Sequence, residues 1–418
     1  MSARRSKSVF LLHLVTTFFV VLIVAHSACC QQILYDRPHL ALVGGTVYPS
    51  PTAAPIPDAV ILIYAGKISA IGRRDQVKLP KRTQVIDCKG KVITAGFWNS
   101  HVHFTEEVWN GAANAPAEKL EQHMQEMLTR WGFTAVFDLG SVPDNTNALK
   151  RRITSGELAG PRLYMAGDIF PRKTPIYLSG MSGLPQANTP AEARTLAMGY
   201  MAAGDDAVKL FTGSFQGNNP VVVMPEPVAK AAADVAHAHG KPVFTHPQNR
   251  AGEDNALAAG VDVLAHTIPS EGEYTTDELT RMKAQHVALI PTLTLWEVVM
   301  KDASAQVRQR FVEAGVNELK SYFDEGGTII FGTDVGFTQH YDTTDEYVLM
   351  AKSGMTWRDI LASLTTNPAT FFKAEHMGDL ATGNNADVVV LNGDPASDVR
   401  NFANVDYTIR AGRVIYKK

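Results

Sequence analysis

Cysteine is nearly absent, with three residues in 418, at positions 29, 30 and 88. Adjacent Cys29 and Cys30 rarely bridge each other, and Cys88 stands alone in the strand-like run 84–88. Neither a disulfide framework nor a thiolate metal site can be built from them. Any metal must use imidazole, carboxylate or a modified lysine. An excess of charge is missing too: 39 Lys and Arg against 42 Asp and Glu leave a net charge of −3. With no long basic run, nucleic acid is set aside as a partner.

Long apolar runs are scarce, with one exception. Arg4, Arg5 and Lys7 precede the apolar stretch 9–25, and the small residues Ser27 and Ala28 follow. That is the order of a secretory leader, so residues 1–28 are expected to be a signal peptide. The mature protein is then periplasmic, secreted or envelope-anchored. Membrane attachment stays open by two routes, a lipid on Cys29 or an uncleaved apolar segment. Oligomeric state is not written in the sequence, and a homo-oligomer stays open.

What is present suits a soluble fold with a large core, since 45% of residues are hydrophobic and 19% charged. The two ends share a character. Short strand-like runs broken by Gly and Pro occupy 40–93, and similar runs occupy 386–391, 407–410 and 413–416. Neither end has enough strands to bury its own face, so 37–92 and 375–418 are expected to form one composite β-sandwich domain. Between them, over 93–374, strand and helix alternate. Eight strand candidates run at 92–104, 135–140, 162–166, 207–211, 242–246, 261–266, 287–291 and 328–334. Helical stretches at 118–131, 191–203 and 227–239 each end before a glycine. Eight βα units predict an α/β fold, a (β/α)8 TIM barrel, with a doubly wound open sheet as the rival.

The reactive side chains gather at one end of these strands. His101 and His103 close the first, and their spacing of two puts both rings on one strand face. Lys209 sits among apolar neighbours on the fourth strand. His246, His266 and Asp334 end the fifth, sixth and eighth. All six fall at the face where barrel enzymes work. His237 and His239 have the same spacing, but at a helix end before Gly240, and are read as a solvated terminus. Imidazole and carboxylate suit zinc, which brings the pKa of bound water to about 7 and gives hydroxide as nucleophile. Two metals need a bridging anion, which a buried neutral lysine can become by adding CO2 to form a carbamate. Asp334 would bind metal, take the proton of the attacking water and pass it to the leaving nitrogen as general base and acid.

The runs 99–103, 208–210, 245–246, 265–266 and 332–334, with 366–369 near the end, resemble the amidohydrolase superfamily over nearly all of 40–418. Within it the chain is similar to the imidazolonepropionase-like branch that includes carboxylated-lysine Xaa-Pro dipeptidases. The resemblance implies that His101, His103 and Asp334 hold the more buried metal. His246 and His266 would hold the more exposed one, and carboxylated Lys209 would bridge the pair. It implies hydrolysis of an amide bond in a dipeptide or N-acyl amino acid. A mononuclear cyclic-amide hydrolase or deaminase is the alternative, with Lys209 pairing a substrate carboxylate. A catalytically silent barrel used for binding is another. Tyr177 is a candidate oxyanion donor and His340 a candidate partner for a substrate carboxylate. Arg172 and Lys173 are weaker candidates of the same kind. Asp138 is read as orienting a ligand histidine or a loop amide. Trp109, Tyr177, Trp296 and Tyr341 are pocket candidates.

Overall fold

The computed structural model describes residues 39–172, 183–216 and 219–418. Residues 1–28, Cys29, Cys30, Lys173 and Tyr177 lie outside that description. Eight parallel strands follow in chain order across one sheet: β1 Phe97–Val102, β2 Phe133–Asp138, β3 Arg162–Pro171, β4 Ala207–Leu210, β5 Val243–Thr245, β6 Val263–Ala265, β7 Ala288–Ile290 and β8 Thr328–Ile329. The segment after β8 returns to β1. Ser100 N–H donates to the Phe331 carbonyl at 2.8 Å, and His103 N–H to that of Val335 at 2.8 Å. The sheet therefore curls on itself with helices outside, as the alternating pattern predicts.

The expected helices form with glycine beyond their ends. Pro190–Ala203 opens on a capping box between Thr189 and Glu192, and Gly204 closes it at φ +87°. The stretch 118–131 is interrupted instead. Its α-helix stops at Met127, and a short tight turn at Thr129–Trp131 carries the chain to Gly132.

One strand candidate divides. The run 92–104 reads as continuous, yet Val92–Ala95 and β1 belong to different sheets. The break is Gly96, where a Cβ would lie 2.1 Å from Thr134 Oγ1, so a side chain would push the two sheets apart. Val92–Ala95 pairs antiparallel with Val388–Leu391 and thereby joins the two chain ends. Their sheet holds eight strands, from Arg413–Lys417 at one edge to Lys67–Arg73 at the other. Along Leu40–Val47 side chains alternate between faces. Leu40 and Leu42 enter a core with Ile61, Ile93, Val390 and Ile409, while Ala41 and Val43 pack with Val60 and Leu62. Neither end could close this core alone. Among the described residues no helix is long and apolar enough to cross a membrane.

Candidate metal centre

The six side chains singled out by position converge. His101, His103, Lys209, His246, His266 and Asp334 all line one cavity of about 550 Å³ at the C-terminal ends of the strands. The four imidazoles form a row. Successive ring centroids lie 5.2 Å apart for His103 and His101, 4.7 Å for His101 and His266, and 4.8 Å for His266 and His246. Asp334 Oδ1 stands 3.1 Å from His101 Nε2 and 2.9 Å from His103 Nε2. Ligand atoms of His101, His266 and Asp334 lie within 4.8 Å of one another.

Each ring is oriented from behind. His103 Nδ1 lies 2.6 Å from the Gly140 carbonyl, an acceptor only, so Nδ1 carries the proton and Nε2 faces the cavity. Asp138 fixes that loop, accepting from Gly140 N–H at 3.2 Å and from the Ser141 and Thr146 hydroxyls at 2.6 Å each. It supports the loop amide, one of the two roles expected of it. His266 Nδ1 lies 2.7 Å from Thr292 Oγ1, whose own proton goes to the Pro291 carbonyl at 2.9 Å. Thr292 is therefore the acceptor, and His266 Nε2 is left with its lone pair. Glu346 steadies this turn in its turn, accepting from Leu293 and Thr294 N–H at 2.8 Å each. Left-handed backbone recurs here: Gln248, His266, Thr292 and Asp334 have φ of +61°, +76°, +43° and +59°. Such residues are strained and cluster at working sites.

Thr292→Val keeps the branched shape this backbone tolerates and removes only the acceptor. It should weaken divalent-metal binding about 10- to 100-fold. Competition with a chelating dye measures this, and an unchanged affinity would show that the hydroxyl does not orient His266.

The electrostatics favour ligands over acids. Burial pushes the His101 imidazole down to about 3 and that of His246 to about 4, and holds His266 well below its ordinary value. All three are neutral lone-pair donors at pH 7. Burial would also lower His103, but the hydrogen bond and charge of Asp334 outweigh it and raise this group. Burial would raise Asp334, yet His101 and His103 hold its carboxyl well below the usual range. Positive charge is thus favoured between Nε2 and Oδ1, and the donor set fits a divalent cation. Burial lowers the Lys209 ammonium, toward the neutral amine that a carbamate requires.

Several contributors were not legible in advance. Asp168 lines the cavity from β3, buried, facing Lys209 on β4 as its register partner. The candidate strand ended at residue 166, two short of it, although a lone acid in an apolar run was a usable signal. Gly140 accommodates it, because a Cβ there would come within 2.4 Å of Asp168 Oδ2. Gln248 Oε1 accepts from His246 Nε2 at 2.6 Å, which leaves Nδ1 of that neutral ring unprotonated, with its lone pair. Of the described aromatic candidates, Trp296 lines the cavity. Trp109 is buried between Phe104 and His123, and Tyr341 donates to Glu106 at 2.7 Å. His340 is exposed and does not line the cavity, and Arg172 is paired with Glu192 at 2.7 Å. His237 and His239 are far from the row, His237 meeting Asp262 at 2.8 Å on the surface.

A curled parallel sheet carrying histidines and an aspartate at its C-terminal mouth, beside a sheet made from both chain ends, defines a metal-site barrel hydrolase. Residues 92–415 match the amidohydrolase family, and the chain belongs to that family. With it goes the reaction class, hydrolysis at carbon–nitrogen bonds. An uncharacterised protein of Mycobacterium tuberculosis is 27% identical over 65% of this chain and 70% of its own length. The ochratoxinase of Aspergillus niger is 22% identical over 83% of this chain and 80% of its own. Among solved structures, a Xaa-Pro dipeptidase with bound methionine superposes with a TM-score of 0.75 at 22% identity, covering 91% of this chain and all of that one.

Proposed function

We propose that His101, His103 and Asp334 hold one divalent ion and His246 and His266 a second, zinc in both cases, with Lys209 bridging them as its CO2-derived carbamate. The substrate is an amide bond in a dipeptide or N-acyl amino acid. The row of four imidazoles, three of them neutral and His103 held by the charged Asp334, with a buried lysine beside it, is the observation that carries this reading. When bound, the ions polarise the scissile carbonyl and make water a nucleophile at neutral pH. The protein does the rest. Asp334, ionised at pH 7, accepts the proton of the attacking water and delivers it to the amide nitrogen as the C–N bond breaks. Asp138, Thr292 and Glu346 keep the donors aligned, and the apolar side of the cavity limits bulk water.

Asp168 is the observation favouring a second reading. A carboxylate facing Lys209 stabilises an ammonium, and a lysine held that way leaves one metal. Hydrolysis of dipeptides, N-acyl amino acids and lactams by the zinc-loaded protein separates the classes. Release of amine from the first two, abolished by chelation, is the expected result. Preference for lactams would favour the mononuclear reading. Turnover of none, with the fold unchanged after chelation, would leave a binding barrel. Export through residues 1–28 belongs to the same proposal, and N-terminal sequencing of the mature chain tests it.

A further inference from the structure

We infer that the cavity selects amides bearing an aromatic or large apolar group, seated on Trp296 with Phe337 covering it. This rests on the amidohydrolase reading and narrows its substrate. Beside its polar residues the cavity has an apolar lining, formed by Phe170, Phe211, Leu295, Trp296, Val299 and Phe337. Val299 and Phe337 are 50% and 52% exposed. Large apolar side chains held open at a cavity mouth leave hydrophobic surface that a ligand can cover.

Trp296 is a fixed platform rather than a loose side chain. Its indole N–H donates to Thr267 Oγ1 at 2.9 Å, and Phe311 meets it edge-on with centroids 5.6 Å apart. Its ring centroid lies 6.2 Å from that of His266. A ring packed on the indole therefore leaves its attached amide within reach of the imidazole row. Phe170 and Phe211 stack at 3.9 Å on another side, with Phe211 5.4 Å from His246. Both aromatic surfaces thus meet the row at its His246–His266 end, and a planar group gains contact with pre-ordered rings at little entropic cost.

N-acetylglycine, N-benzoylglycine and N-acetyl-L-phenylalanine test this, since the ring stands on either side of the amide. Calorimetry on the zinc-loaded protein reads binding, and amine release reads turnover. One of the two aromatic compounds is expected to bind roughly 10- to 100-fold tighter than N-acetylglycine. Trp296→Ala and Phe337→Ser should each cut that ratio at least about threefold, while Trp296→Phe retains it. Phe337 is half exposed, so its variant reports on the wall even where Trp296→Ala folds poorly. Equal binding of all three compounds, or an unchanged ratio in Phe337→Ser and Trp296→Ala, overturns the inference. Tight, ring-dependent binding without hydrolysis of any amide would uphold the wall and sink the amide substrate.

Discussion

Replacing Asp334 by Asn should lower kcat by about 10³- to 10⁴-fold while the barrel stays folded. The side chain is nearly isosteric and remains beside His101 and His103, so the packing around it has little reason to change. What changes is charge. The carboxylate is ionised because those two imidazoles outweigh its burial, and the amide can neither accept a proton nor complete an anionic ligand set. Steady-state rates, circular dichroism and zinc content of the same preparation separate the two losses. A fall in kcat at full zinc loading assigns the proton role to Asp334. Retained activity would move that role elsewhere, with buried Asp168 the nearest unused carboxylate in the cavity.

Lys209→Ala should reduce bound zinc from about two ions per chain to about one and abolish turnover, because an alanine offers no bridge. The space it leaves opens into the cavity that Lys209 lines. A short carboxylic acid entering that space should restore part of the activity, which a merely structural lysine would not allow. Preparing the wild-type protein without CO2 should have the same effect as the substitution. One ion in the wild type, unaffected by Lys209→Ala, would remove the carbamate bridge and establish Asp168 as the partner of a permanent ammonium.

How much of this was legible follows from what sequence can encode. Strand ends are marked by where apolar runs stop, so His101, His103, His246, His266 and Asp334 could be placed on one face without coordinates. The sheet from both chain ends was legible because neither end could bury itself. Gly96 was not, since a break between two sheets depends on Thr134 lying opposite it, a contact absent from any local pattern. Asp168 was missed for a related reason: its meaning comes from standing on β3 beside Lys209 of β4. Half of the apolar wall comes from helix Leu293–Val299, where Trp296 was legible as a pocket candidate but Leu295 and Val299 read as ordinary core until the turn held by Glu346 is seen.

The pairing of Val92–Ala95 with Val388–Leu391 also sets an order of assembly. The first barrel strand begins two residues beyond a strand whose partner is made roughly 300 residues later, so that contact closes a very long loop. Until the last thirty or so residues are available, Ile93, Leu40 and Leu42 lack the Val388, Val390 and Ile409 side chains that complete their core. The barrel's entry strand therefore stays tethered to an unfinished sheet, and a chain cut short before Val388 would expose a sticky edge next to a nearly complete site. The carboxyl terminus, remote from the chemistry, acts as the final fastening of the molecule.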